Sequence, residues 1–349
     1  MLRYLMEGAL FSMKKTFIVF IALAICTLSS CNPGKERIYK ESRITMDTLV
    51  TITVSSSSDT VAKAAVDKAF REIDKLGKLL NFFAGDSEVT LINKSAGSSP
   101  VTVSKETLDV IEKALYVADK TKGAFDISIG PVSSLWDFHT KTMPEEDALK
   151  EKLKLVGYKN VVIDRRNSTV FLKKKGMMID LGGIAKGYAA DRAAEVLKNS
   201  GIKSGIVAAA GDIRTFGTRP DGSAWNIGIK NPRQTGDDDE ILAVIRLSDQ
   251  AISTSGDYER YFIKNGIRYH HILDPKTGRP AYGCRSVSVI TKEGVFTDAF
   301  STGVFVLGPR RGMETLKKMG FDGIIVDSDG NILMTEGIKG KIEVKGNKP

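Results

Sequence analysis

Thr297-Asp298-Ala299-Phe300-Ser301-Thr302-Gly303 places a carboxylate and a hydroxyl four residues apart. On a helix, Asp298 and Thr302 then share one face. With nearby main-chain carbonyls they make a hard-oxygen set, the kind Mg²⁺ takes when it also holds phosphate. An Asp near a helix start also answers the helix dipole, and the segment alone does not decide. Asp180-Leu-Gly-Gly-Ile-Ala-Lys-Gly-Tyr-Ala-Ala-Asp191 reads as a chain entering a double-glycine turn and leaving as a helix. Bare backbone there can approach an anion, with Lys186 on the first helical turn. It is neither a Walker loop nor G-x-G-x-x-G, so by itself it is a tightly packed strand-to-helix turn. Tyr269-His270-His271-Ile-Leu-Asp274-Pro-Lys-Thr-Gly-Arg-Pro280 holds two of the three histidines. Neighbours on a strand point to opposite faces, which argues against a metal pair and leaves one His as a general base. Hydrogen-bonded structural histidines fit that stretch as well, and His139 has no such context. In Ala209-Ala210-Gly211-Asp212-Ile213, Asp212 at the end of an apolar strand is a turn residue or a ligand contact, and locally the turn reading is preferred.

These residues need elements to position them. Ile44 to Val54, rich in Thr, Val and Ile, reads as a strand. Apolar residues at helical spacing (Val66, Phe70, Ile73, Leu80) predict a helix over 59–80 with Asp59 as N-cap. A polar patch, Asp86-Ser87-Glu88, lies in a turn-rich stretch. Ser104 caps a helix to about Thr121, and Pro144 starts a third. Strands are predicted near 160–164 and 168–173, and over Met177 to Leu181. A helix follows at 184–199, then strands at 205–209, 225–230, 241–247 and 251–254. Helices around 298–305 and 309–319 precede two closing strands. Clustered, hairpin-linked strands without strict βαβ alternation give an α+β fold of mostly antiparallel sheets with packed helices. The acidic run Asp237 to Glu240 reads as a solvated loop tip.

With 42% hydrophobic and 27% charged residues, the 349-residue chain is neither a polytopic membrane protein nor a disordered one. Three scattered cysteines exclude a disulfide framework and a structural zinc site. Of the net charge of +9, residues 1–30 carry Arg3, Lys14 and Lys15 against Glu7, so the body is only mildly basic. No aromatic RNA-binding motif, zinc finger or basic helix supports nucleic acid. Met13-Lys14-Lys15 followed by the apolar run Phe17 to Leu28 reads as a signal peptide, too short to span a bilayer. It ends Leu28-Ser29-Ser30-Cys31, which resembles a bacterial lipobox. Cys31 is then lipidated and becomes the mature N-terminus, whereas Cys26 lies inside the apolar core behind bulky Ile25. Residues 1–12 read as an upstream start-site artefact. The division expected is a signal peptide over 1–31, a tether over 32–42 and one domain over 43–345. The domain is exported and anchored on the outer side of the cytoplasmic membrane. Cys284 is left as a structural free thiol.

Taken in order, these segments resemble the ApbE-like family, the FAD:protein FMN transferases. The match rests on Thr45-Met46-Asp47-Thr48, the patch at 86–88, Gly-Ala-Phe-Asp-Ile-Ser-Ile-Gly-Pro over 123–131, and the double-glycine segment at 180–191. It continues through the Gly-Asp-Ile turn, the Trp225 strand, Ser253 to Phe262, and the His270 and Asp298 segments. It covers nearly everything after residue 43. The resemblance implies Mg²⁺-dependent transfer of FMN from FAD to a Thr or Ser hydroxyl of a partner protein, with release of AMP. It implies acceptors carrying an Asp/Ser-Gly-Ala-Ser/Thr-x-Ser/Thr motif, in subunits of sodium-translocating quinone reductases and related redox pumps. It implies metal ligation by Gly183 (main-chain oxygen), Asp298 and Thr302, with the Ser301 backbone as a further ligand. It places FAD in a central cleft against Met46, Phe83, Ala124, Phe125, Asp126, Asp180, Lys186 and Ile272, and makes His271 the candidate base.

Two other functions fit the same residues. An FAD pyrophosphatase would use the same metal with water as nucleophile, giving free FMN and AMP. A non-catalytic FAD-binding lipoprotein would have no need of the Asp298/Thr302 pair.

Overall fold

The computed structural model describes residues 36–233 and 240–344. The signal segment, Cys26, Cys31 and Asp237 to Asp239 of the acidic run lie outside the described residues. The expected strand at 44–54 is a hairpin, β1 (Arg37–Thr45) and β2 (Thr48–Ser56). Met46 and Asp47 turn it, both in the left-handed region (φ 51 and 57). Such two-residue turns match strand twist but usually announce themselves as Asn-Gly, which is why the turn is silent in the sequence. The hairpin draws residues 37–42, expected as tether, into an edge strand. Helix α1 (Asp59–Leu80) follows, capped by Ser58 rather than Asp59: the Ser58 side chain accepts the Val61 N–H. Extended backbone at Ser58 suits an N-cap, while Asp59 sits in the first turn where its charge meets the dipole.

The patch at 86–88 opens an unforeseen short helix, α2 (Glu88–Lys94), capped by Ser87. Glu88 also accepts the backbone N–H and hydroxyl of Ser104, the cap of α3 (Lys105–Lys120). Strand β3 (Val101–Thr102) joins β4 (Val161–Asp164) and β5 (Thr169–Leu172) in a small sheet. Between them lie α4 (Gly130–Ser133) and α5 (Glu146–Leu153), the latter starting two residues beyond Pro144. Residues 177–181 are not a strand. Asn93 accepts the Ile179 N–H (2.7 Å) and donates to the Ile179 carbonyl (3.0 Å), and Asp180 N–H reaches the Ile127 carbonyl (2.7 Å). A side chain and a loop supply the bonds that a neighbouring strand would otherwise give.

Helix α6 (Ala185–Asn199) leads to β6 (Ser204–Ala209), then β7 (Asp212–Phe216), a strand missed in the sequence. Next come β8 (Trp225–Lys230), β9 (Ile241–Leu247), β10 (Ala251–Gly256), and the hairpin β11 (Tyr261–Lys264) with β12 (Ile267–His270). Strand β13 (Cys284–Thr291) precedes α7 (Gly294–Met319), broken at Gly308 (φ 77) before Pro309, so two helical pieces stand where two were expected. Strands β14 (Asp322–Asp327), β15 (Ile332–Met334) and β16 (Ile342–Val344) close the chain.

The central sheet has eight strands in the order β1-β2-β6-β7-β10-β13-β14-β15, every pair antiparallel. One face buries Val50, Ile52, Val207, Val287 and Val289 against α1, α6 and α7. On the other, Ile252, Ile290 and Ile324 meet Trp225, Ile227, Ile245 and Leu247 of the β16-β9-β8 sheet. The Trp225 strand alternates buried and exposed along its length, as its pattern predicts. The molecule is therefore α+β. Among the described residues no helix is long and apolar enough to cross a membrane. Cys284 is buried and free.

Candidate active site

A glycine contact between α6 and α7 builds the charged centre. A Cβ on Gly187 would lie 2.2 Å from the Gly294 carbonyl oxygen and 2.7 Å from the Asp298 Cβ. Only bare backbone lets the helices come this close. The Gly187 N–H consequently donates to Asp298 Oδ2 at 3.0 Å, so a residue of α7 caps the start of α6. Asp191 of α6 returns the favour, accepting the N–H groups of Gly294 (2.8 Å) and Val295 (2.9 Å) at the start of α7. It also pairs with Arg214 at 3.1 Å.

Lys186 reaches into this junction. Its Nζ is 2.6 Å from Asp212 Oδ2 and 3.7 Å from Asp298 Oδ2. Burial opposes its charge, but the two carboxylates outweigh that and hold it protonated. Asp298 is 4% exposed, and burial together with the Asp212 charge raises its pKa despite Lys186 and the Gly187 N–H. Lys186 keeps 28% of its side chain open, enough to meet a ligand at the surface of the cluster.

Thr302 lies one turn beyond Asp298. A Cβ on Gly183 would sit 3.5 Å from its Oγ1 and 3.3 Å from Phe125 Cε2, so Gly183, Thr302 and Phe125 meet. Ser255 in β10 pairs with Ser301 (2.8 Å) and Thr302 (3.2 Å), and Ser301 also donates to the Asp298 carbonyl (2.8 Å). The Ser301 hydroxyl is thus engaged inside the protein.

His271 enters from the β12 end. Its N–H donates to the Arg260 carbonyl (3.1 Å), and Nδ1 lies 3.4 Å from the same oxygen. With the proton on Nδ1, Nε2 is free to accept one. Burial and the nearby Arg260 and Lys186 charges push His271 down to about 3, so it is neutral at pH 7. His270 points inward and bonds the Ala281 carbonyl at 2.8 Å, as the strand alternation requires.

The other expected contacts divide. Asp180 stands at the double-glycine turn, taking the Gly182 N–H (2.9 Å) and the Ser133 hydroxyl (3.2 Å). Ala124 and Ile272 are buried. Asp126 turns inward: its oxygens accept the Ser128 N–H and hydroxyl and the Tyr158 N–H, and burial raises its pKa. Its carboxylate is a loop organiser, and its main-chain carbonyl accepts the Ile129 N–H (3.3 Å). Met46 packs toward Gly77 of α1, and Phe83 is 83% exposed beside Phe82. Those contacts are with α1 and the 81–87 loop, not with the charged centre.

Arg260, Ser255 and Gly187 were not singled out by the sequence, and Asp212 was read as a turn residue in preference to a ligand contact. A glycine inside a helix carries a penalty of about 1 kcal/mol, and that was a signal for the close crossing at Gly187. Asp212 gave none, because Gly-Asp after a strand looks like any turn.

Among the described residues no group of three or more His, Cys, Asp or Glu side chains could hold a metal. One carboxylate, one hydroxyl and a main-chain oxygen fit Mg²⁺ nonetheless, since that ion keeps waters and takes its remaining oxygens from phosphate. Oδ1 of Asp298 carries neither the Gly187 nor the Lys186 contact.

Residues 46–333 match the model of the ApbE family. An FAD:protein FMN transferase of Treponema pallidum (strain Nichols) is 32% identical over 340 residues, 92% of this chain and 93% of that one. Another, from Klebsiella pneumoniae (strain 342), is 32% identical over 303 residues, 86% and 92% of the two chains. In three dimensions the chain is similar to the ApbE protein of Thermotoga maritima, with TM-score 0.81, 36% identity, and 87% and 99% coverage. The flavin transferase ApbE of Vibrio cholerae gives TM-score 0.78 at 28% identity, with 88% and 99% coverage. With the model spanning most of the chain and relatives above 30% identity over more than nine-tenths of their length, this protein belongs to the ApbE family.

Proposed function

We propose that the chain transfers FMN from FAD to a Thr or Ser hydroxyl of a partner protein. The observation that carries this is the Lys186–Asp212–Asp298 cluster beside the double-glycine turn, in a chain whose curated relatives are named for that activity. The acceptor oxygen bonds to the FMN phosphorus, the bridging P–O bond breaks, and its electron pair leaves with AMP. Lys186 would partly offset the Asp212 and Asp298 charges beside the place where that charge develops. His271, held neutral, accepts the hydroxyl proton at Nε2.

Asp298, Thr302 and the Gly183 carbonyl would hold Mg²⁺, which supplies charge neutralisation of the diphosphate. Phe125 packs beside the Gly183 turn, and Asp180 fixes that turn through the Gly182 N–H, so both would shape the FAD cleft. Exposed Phe83 offers an aromatic face for the flavin ring. The lipobox-like leader supports export and anchoring through Cys31, which would put the enzyme beside membrane redox subunits carrying the acceptor motif. The test is the fate of FMN. FAD, Mg²⁺ and an acceptor domain with an Asp-Gly-Ala-Thr-type motif should yield an acceptor heavier by one FMN less one water. Free FMN and an unmodified acceptor would favour the pyrophosphatase instead.

A further inference from the structure

We propose that Asp212 is a positioning residue that holds the Lys186 ammonium away from Asp298, keeping Asp298 available to a divalent cation. This rests on the reading of Asp298 as metal ligand given above. At 2.6 Å Lys186 is hydrogen-bonded to Asp212, whereas at 3.7 Å from Asp298 it is not. Asp212 is 5% exposed, and Lys186 is its only ion-pair partner among the described residues. With Asp212 neutral, Asp298 is the one carboxylate among the described residues left within 4 Å of the ammonium. The lysine would move onto it and compete with the cation for the same oxygens.

The backbone fixes Asp212 for this task. It opens β7, facing Ala209 in β6 and Ser253 in β10. Gly211 comes close to β10: a Cβ there would meet the Thr254 carbonyl at 3.2 Å, and its own carbonyl accepts the Thr254 N–H. The glycine is therefore used for close approach, and Ala210 takes the left-handed turn position instead (φ 55). The two-residue hairpin and the close approach of Gly211 to β10 together fix where Asp212 enters the cluster.

The test uses the full-length chain and Mn²⁺ alone, with free Mn²⁺ read by electron paramagnetic resonance. Asp212→Asn should raise the Mn²⁺ Kd by about 10-fold or more, the scale of losing a partner that orients a metal ligand. In a Lys186→Met chain the same substitution should change Kd by less than about 3-fold, because the competitor is gone. An unchanged Kd for Asp212→Asn, or equal losses in both backgrounds, would overturn the inference while leaving the metal site in place. No Mn²⁺ binding by the unsubstituted chain would overturn the metal reading itself, and this inference with it.

Discussion

Asp298 does two jobs at once. It caps α6 through the Gly187 N–H and, in the function proposed above, would also hold the cation. Asp298→Asn keeps the shape and part of the cap but removes the charge. Flavin transfer should fall about 100-fold or more, the range for losing a pre-organised charge partner in a transition state. Initial rates of acceptor labelling check this, with circular dichroism to confirm the fold. His271→Ala should cost less than Asp298→Asn, since an imidazole pushed down to about 3 is a weak base and the hydroxyl proton can leave late. Equal losses in the two variants would contradict that ranking. At this scale the sequence was legible where a side chain acts through its own helix, as with Asp298 and Thr302. It was illegible for Asp212, whose meaning comes from a lysine on another element.

Between elements, the α6–α7 crossing is the joint on which the centre depends. Gly187→Ala should destabilise the protein by about 1–3 kcal/mol, because the clash is with the Gly294 backbone and no side chain can swing aside. Gly85→Ala, with nothing within 4 Å, is the stability control. Thermal melts should separate the two clearly, and equal midpoints would sink the close-crossing account. Asp191→Ala should cost about 1–2 kcal/mol by uncapping α7. Elements with strong periodicity, such as α1 and α3, could be read from sequence to within a residue or so. The β1–β2 hairpin could not, since Met-Asp is an unusual pair for a left-handed turn. Residues 177–181 misled for the opposite reason. They have strand-like composition, but Asn93 and Ile127 take the bonds that would have made them a strand.

At the level of the whole molecule, order of motifs carried more information than any one motif, and the α+β architecture followed from hairpin-linked strands. Burial holds the imidazole of His270 below its ordinary pKa. Its neutral form therefore stabilises the fold above the unfolded value near 6.5, and that contribution drains away as pH falls toward the folded value. Urea midpoints should drop between pH 7 and pH 5, with a slope from this residue of at most about 1.4 kcal/mol per pH unit. His270→Asn should make the profile shallower, with His271 still contributing over the same window, and an unaltered slope would remove His270 as a source. Anchoring through Cys31 predicts that a Cys31→Ser chain loses incorporation of a radiolabelled fatty acid and leaves the membrane fraction. The central claim is tested most directly by one intact-mass measurement on an acceptor domain incubated with the enzyme, FAD and Mg²⁺, with EDTA as the control. The account predicts a gain of one FMN less one water, which EDTA abolishes. An unmodified acceptor alongside free FMN and AMP, or alongside intact FAD, would contradict it.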